Sequence, residues 1–166
     1  MRGDLVVTPS GAWFQGRHFA CTRGRTGVTR TKSEGDGATP AGVYRIVGAI
    51  YRPDRLAAAK VPGWARPIGL GDLWCDDPAD PAYNHPVRAP CRASHERLRR
   101  ADPLYDLVLI TDWNYPQAVP GRGSAIFLHS WRRPCAPTAG CIAFDRQDLL
   151  WIARRLVPGT RLVIRG

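Results

Sequence analysis

Short alternating and apolar runs, separated by glycine and proline, set the pattern of the chain. Residues 4–8 (DLVVT) and 17–22 (RHFACT) read as brief β-runs, with turns at Pro9-Ser10-Gly11 and Gln15-Gly16 making a small meander. A glycine-rich loop over 32–42 (KSEGDGATPAG) feeds a strand over 43–47. The strongest strand signal lies at 104–113 (LYDLVLITDW), whose centre, Leu107 to Ile110, is a buried run. A second apolar run, Ala125-Ile126-Phe127-Leu128, ends at His129, and the two strands are expected to neighbour each other in a central sheet.

Helical signals are fewer. A short helix is expected over 54–60 (DRLAAAK), ended by Pro62-Gly63, and another behind Ser94, with His95 on its face. The clearest follows Asp145 as N-cap, with Leu149, Leu150, Ile152, Ala153 and Leu156 as an apolar stripe. Pro158-Gly159 ends it, and 160–164 supply a last strand. No internal repeat, coiled coil or low-complexity tract interrupts this order. With 166 residues, 15 Pro and 17 Gly, one loop-rich β or α/β domain over 1–166 is expected.

Charge narrows the partners. The net charge of +10 comes almost wholly from 22 Arg, with Lys32 and Lys60 the only lysines. The arginines are spread from Arg2 to Arg165, without a basic arm or an aromatic RNA-binding signature, so nucleic acid is not the expected partner. A carboxylate-rich substrate suits the same charge. No C-x-x-C pair occurs, so no zinc site is expected, and no apolar run approaches a membrane span or a signal peptide. The five cysteines (Cys21, Cys75, Cys91, Cys135, Cys141) are an odd number, and their spacing does not decide their pairing.

Candidate chemistry gathers where the apolar run reaches His129 and the chain returns twelve positions later at Cys141. A strand end and a loop of that length can set an imidazole beside a thiol, the arrangement a cysteine nucleophile needs. Gly140 frees the backbone next to the sulfur, and the N–H groups of Gly140 and Cys141 are candidate oxyanion donors. Thr138 and Ser130 add hydroxyls nearby. On residue type alone, a cysteine before Ile142-Ala143-Phe144 also reads as a small buried hydrophobe. Asp76 and Asp77, adjacent before a proline, read as turn caps rather than a metal or acid/base pair.

The block from His129 to Thr138-Ala139-Gly140-Cys141 resembles the active-site signature of L,D-transpeptidases of the YkuD type. Two further stretches resemble the same family: E-G-D-G-x-T-P-x-G-x-Y over 34–44, and W-x-x-D-P-x-x-x-x-Y-N over 74–84. This chain departs from the family in carrying Ala139 where a second histidine is common, and Ala143 where Arg or Asn is common. The resemblance implies a mainly β catalytic domain, a curved or sandwich-like mixed sheet with short helices. It implies Cys141 as nucleophile, His129 as base and Gly140 in the oxyanion site. Thr138, Ser130, Trp131, Ala139, Trp74, Asp77, Tyr83 and Asn84 are the implied substrate contacts. It further implies peptidoglycan stem peptides as donor and acceptor, no cofactor or metal, no stable membrane insertion, and a place in the periplasm or cell wall. Ala139 and Ala143 suggest an unusual bond choice, such as cross-linking through L-alanine. A carboxypeptidase or amide hydrolase, a peptidase on ordinary peptides, and a cell-wall-binding module with an inert cysteine are the other readings.

Overall fold

A computed structural model describes residues 3–166. In chain order the strands are β1 Leu5–Thr8, β2 Gly11–Phe14, β3 Arg17–Phe19, β4 Cys21–Thr22, β5 Val28–Thr29, β6 Thr39–Pro40, β7 Gly42–Tyr51 and β8 Arg66–Pro67. There follow β9 Asp72–Cys75, β10 Pro86–Arg88, β11 His95–Arg97, β12 Leu107–Thr111, β13 Phe127–Ser130, β14 Ile142–Phe144, the helix α1 Arg146–Ala153, and β15 Arg161–Ile164.

Ten of these strands form one mixed sheet in the order β3-β2-β1-β15-β7-β12-β13-β14-β4, with β8 beside β7. Its two edge strands, β3 and β4, are consecutive in the chain with Ala20 alone between them. The sheet must therefore curl until its edges almost meet, and it nearly closes into a barrel. Leu5, Phe14, Ile46, Leu109, Leu128 and Phe144 point into the first core, and α1 adds Leu149, Ile152 and Ala153. The helix starts where the sequence expects it: Gln147 N–H donates to Asp145 Oδ1 at 2.8 Å.

A small sheet, β10-β9-β11, covers the other face. Between the two sheets lies a second core of Ile68, Trp74, Leu98, Tyr105, Val108 and Phe127, and Cys141 packs against it. The mainly β, curved mixed-sheet expectation holds.

Three local expectations are corrected. Only a 3-10 turn, Ala58–Lys60, stands in place of a helix over 54–60. Asp54 is taken by the Arg52 guanidinium, and Ala57 is extended with no side-chain cap. The stretch behind Ser94 is strand β11, because Glu96 registers with Trp74 and Arg97 with Leu73, and sheet pairing overrides local propensity. The third concerns 104–113, where β12 begins only at Leu107 because Asp102 and Pro103 turn the chain through Asp106 N–H and Pro103 C=O.

Candidate active site

Strands β13 and β14 run parallel, pairing Leu128 with Ile142 and His129 with Ala143. Side chains alternate along a strand, so His129 and Phe127 face the second core while Leu128 and Ser130 face the other way. Cys141 lies just before β14, level with Phe127 and two residue pairs below His129, on the same face of the sheet. Its Sγ–H donates to Ala125 C=O at 3.0 Å, and Phe127 N–H donates to Sγ at 3.4 Å. His129 is 5% exposed, and its Nδ1 bonds Ser130 C=O at 2.7 Å. That bond fixes the proton on Nδ1, leaving Nε2 as the basic nitrogen.

Both side chains line one cavity of about 840 Å³. Trp131, Thr138, Ala139 and Ala143 share its wall, as do Arg25, Arg100, Arg132, Arg133, Glu96 and Tyr105. Four arginines face one carboxylate.

The loop carrying Cys141 is tied down residue by residue. Thr138 Oγ1 donates to Cys141 C=O at 2.6 Å and accepts from Gly140 N–H at 3.1 Å. Thr39 Oγ1 donates to Gly140 C=O at 2.7 Å and accepts from Gly24 N–H at 2.9 Å. Gly140 has φ +147°, and a Cβ there would stand 2.8 Å from Ala38 C=O, so no larger residue fits without a shift. Strand β6, which follows the glycine-rich segment, is thus the clamp on the nucleophile's backbone. Gly140 N–H is already donated to Thr138 Oγ1, so it is not the free oxyanion donor expected of it.

Electrostatics keep the resting pair neutral. Burial pushes the Cys141 thiol up to about 12, and the Glu96 charge adds to the rise; the Phe127 N–H and the Lys32 ammonium oppose it. Burial pushes His129 down to about 4, helped by Arg100 and opposed by the Ser130 carbonyl and Asp102. His129 is not among the groups that acidify the thiol.

Trp74, Tyr83, Asn84 and Asp77 do not line this cavity. Three of them instead brace the segment that holds the sulfur. Asn84 Oδ1 accepts from both Trp74 Nε1–H and Ala125 N–H at 2.9 Å, and its Nδ2 donates to Trp113 and Asn114 carbonyls. Tyr83 hydroxyl bonds Glu34 and accepts from Gly123 N–H at 2.9 Å. These contacts hold Ala125 at φ +51° with its carbonyl aimed at Sγ. Asp77 Oδ1 accepts from Ala79 N–H at 3.0 Å, a turn cap. Ser130 faces away from His129, its Oγ buried without a partner among the described residues.

The helix α1 packs in the first core, across the sheet from the sulfur, so its N-terminus does not face the thiol. All five cysteines are free thiols in the structure. Among the described residues no group of three His, Cys, Asp or Glu gathers to hold a metal, and no helix is long and apolar enough to cross a membrane.

Sequence reasoning missed Glu96 and Arg100, which sit in a charged run (SHERLRR) that reads as a solvated helix face. A strand assignment there, placing Glu96 opposite Trp74, is the signal that finds them.

No curated protein matches the chain. In fold it is similar to an L,D-transpeptidase from Mycobacterium smegmatis, with TM-score 0.44 and 11% identity over 98% of this chain. The chain spans 58% of the length of that protein. The description of the YkuD L,D-transpeptidase catalytic domain matches residues 10–164, a span that takes in every element from β2 to β15 and the whole cavity around Cys141. On that match the chain belongs to the YkuD family of L,D-transpeptidase catalytic domains.

Proposed function

We propose that residues 10–164 act as one catalytic domain that cross-links peptidoglycan stem peptides, with Cys141 as nucleophile and His129 as base. The observation that carries this reading is the single cavity in which Sγ and an imidazole with a free Nε2 meet four arginines. As the donor stem enters, the Cys141 thiol proton passes to His129 Nε2 and Sγ attacks the stem amide carbonyl. Cys141 N–H stabilises the oxyanion. The C–N bond breaks, the leaving amine takes the proton back from His129, and a thioester remains. A diaminopimelate side-chain amine of a second stem then attacks the thioester. Its proton moves to His129 and on to the released thiolate, restoring the neutral pair.

Substrate carboxylates meet Arg25, Arg132 and Arg133 at the exposed rim. Ala143 registers with His129 and Ala139 lies on the rim, so both leave space beside the reacting atoms. That space supports the choice of an unusual donor bond, including one at L-alanine. Action at the cell wall follows from the same substrate.

Purified protein incubated with muropeptides is expected to yield new dimers by mass spectrometry, absent with Cys141→Ala, whose fragments name the donor residue. Shortened monomers without dimers would mean that water is the acceptor and the enzyme a hydrolase. No change with the wild type removes the transpeptidase reading, and dimers joined only between two diaminopimelates remove the unusual bond choice.

A further inference from the structure

Glu96 is an unexpected neighbour for a nucleophilic thiol. When ionised, Glu96 opposes thiolate formation, and burial in a recess with no paired cation raises its carboxyl above the ordinary value, so the carboxylate there calls for a positive partner. Among the described residues no cation pairs with it, and its one hydrogen bond is at Oε2, from the Tyr105 hydroxyl at 2.5 Å. Arg100 lines the same cavity. Asp102 binds Arg100 Nε and Nη2 at 2.8 and 2.6 Å, and Nη1 has no partner among the described residues. No Arg100 nitrogen comes within the 4.0 Å of a salt bridge to Glu96, although the two charges are close enough to influence each other.

Tyr105 joins the parts. Its hydroxyl holds Glu96, the Arg100 guanidinium lies 5.1 Å from its ring centroid, and its ring meets His129 edge-on at 5.2 Å. Two opposite charges are thus fixed around one aromatic ring, beside the reacting pair, without neutralising each other. Arg100 is fixed by Asp102 and Glu96 by Tyr105. Such an arrangement fits a ligand that carries both opposite charges on one carbon atom.

We propose that Glu96 and Arg100 form a subsite for the zwitterionic end of an amino acid, Glu96 receiving the ammonium and Arg100 the carboxylate. The proposal rests on the transpeptidase reading for the identity of the ligand, since the free end of a diaminopimelate side chain is an α-ammonium carboxylate. An ammonium bound at Glu96 would also cancel the charge that opposes the thiolate, so substrate binding itself readies the sulfur.

The test is calorimetric titration of the full chain with a stem tripeptide ending in diaminopimelate, and with the same peptide acetylated on its side-chain amine. A charge-assisted contact predicts that acetylation weakens binding to the wild type about 10-fold or more. Glu96→Gln, which keeps the shape and the Tyr105 contact, should lose a similar factor and no longer distinguish the peptides. Amidating the side-chain carboxyl should weaken binding comparably in the wild type, with no further loss in Arg100→Gln. Equal binding of the free and acetylated peptides by the wild type overturns the subsite, without recourse to any variant. So does failure to bind either peptide by protein that forms muropeptide dimers. Discrimination against the acetylated peptide by protein that forms no dimers leaves the subsite standing and removes the transpeptidase reading alone.

Discussion

A thiol at about 12 beside an imidazole at about 4 is a pair that stores no charge before substrate arrives. Iodoacetamide reacts with thiolate, so Cys141 is expected to label slowly at neutral pH and faster as the pH climbs. Glu96→Gln removes a negative charge from the thiol's surroundings and should shift that labelling profile to lower pH; an unshifted profile would mean that Glu96 does not act on the sulfur. His129 carries a second pH dependence. Its folded value lies below the ordinary 6.5, so the unfolded chain binds the proton more readily. Its contribution is complete above pH 6.5 and is lost as pH falls towards 4, up to about 3 kcal/mol. Urea melts of wild type and His129→Asn at pH 7 and pH 4 should show the wild type losing more. At this scale Cys141 and His129 could be singled out as candidates, from their twelve-residue spacing together with the family resemblance, and both line one cavity. The oxyanion role expected of Gly140 N–H did not hold, because that group is donated to Thr138. Glu96 was not legible, since its meaning comes from Tyr105 and Arg100 meeting it in space.

Among the elements, strand β6 with Thr39 and the Asn84 corner do for the candidate active-site backbone what a shell of packing does for a core. Thr39→Val removes two buried hydrogen bonds, leaving Gly140 C=O and Gly24 N–H without their partner. The expected cost is about 1–3 kcal/mol in a thermal melt, with a larger fall in cross-linking because the loop carrying Cys141 loosens. Asn84→Ala should cost about 3 kcal/mol or more, since it frees the Trp74 indole N–H and the Ala125 N–H and places alanine at φ +56°. If Asn84→Ala keeps full activity, the brace has no bearing on the sulfur. The family-like stretches over 34–44 and 74–84 were visible in the sequence, but their purpose was not. Trp74, Tyr83 and Asn84 have the residue types of a substrate cleft, and only the register of β9 and the turn after it shows that they face inward. Strand β11 escaped for a related reason: its charged residues follow one another without the alternation that marks a strand, and its pairing partner lies some twenty residues away in sequence.

For the molecule as a whole, the net charge of +10 and the four arginines around one cavity predict salt-sensitive binding to carboxylate-bearing wall material. Co-sedimentation with sacculi should fall steeply as salt rises from about 50 to about 500 mM. Sacculi with amidated stem carboxyls should bind less and respond less to salt; an equal response would assign the attraction to charge elsewhere. A loop-rich, strand-bearing domain was legible from the short β-runs and abundant turns, and the curved sheet only through the family resemblance. Its strand order was not, because pairing β1 with β15 joins segments at opposite ends of the chain.

That pairing sets the timetable of synthesis. β15 lies between β1 and β7, joining Leu5 to Leu162 on one side and Arg45 to Arg161 on the other. A ribosome must therefore deliver nearly the whole domain before this interior strand exists, and until then the β1 and β7 edges stay open. The nascent chain waits with its two flanks unjoined, and its dependence on chaperones should end only when residue 164 clears the exit tunnel.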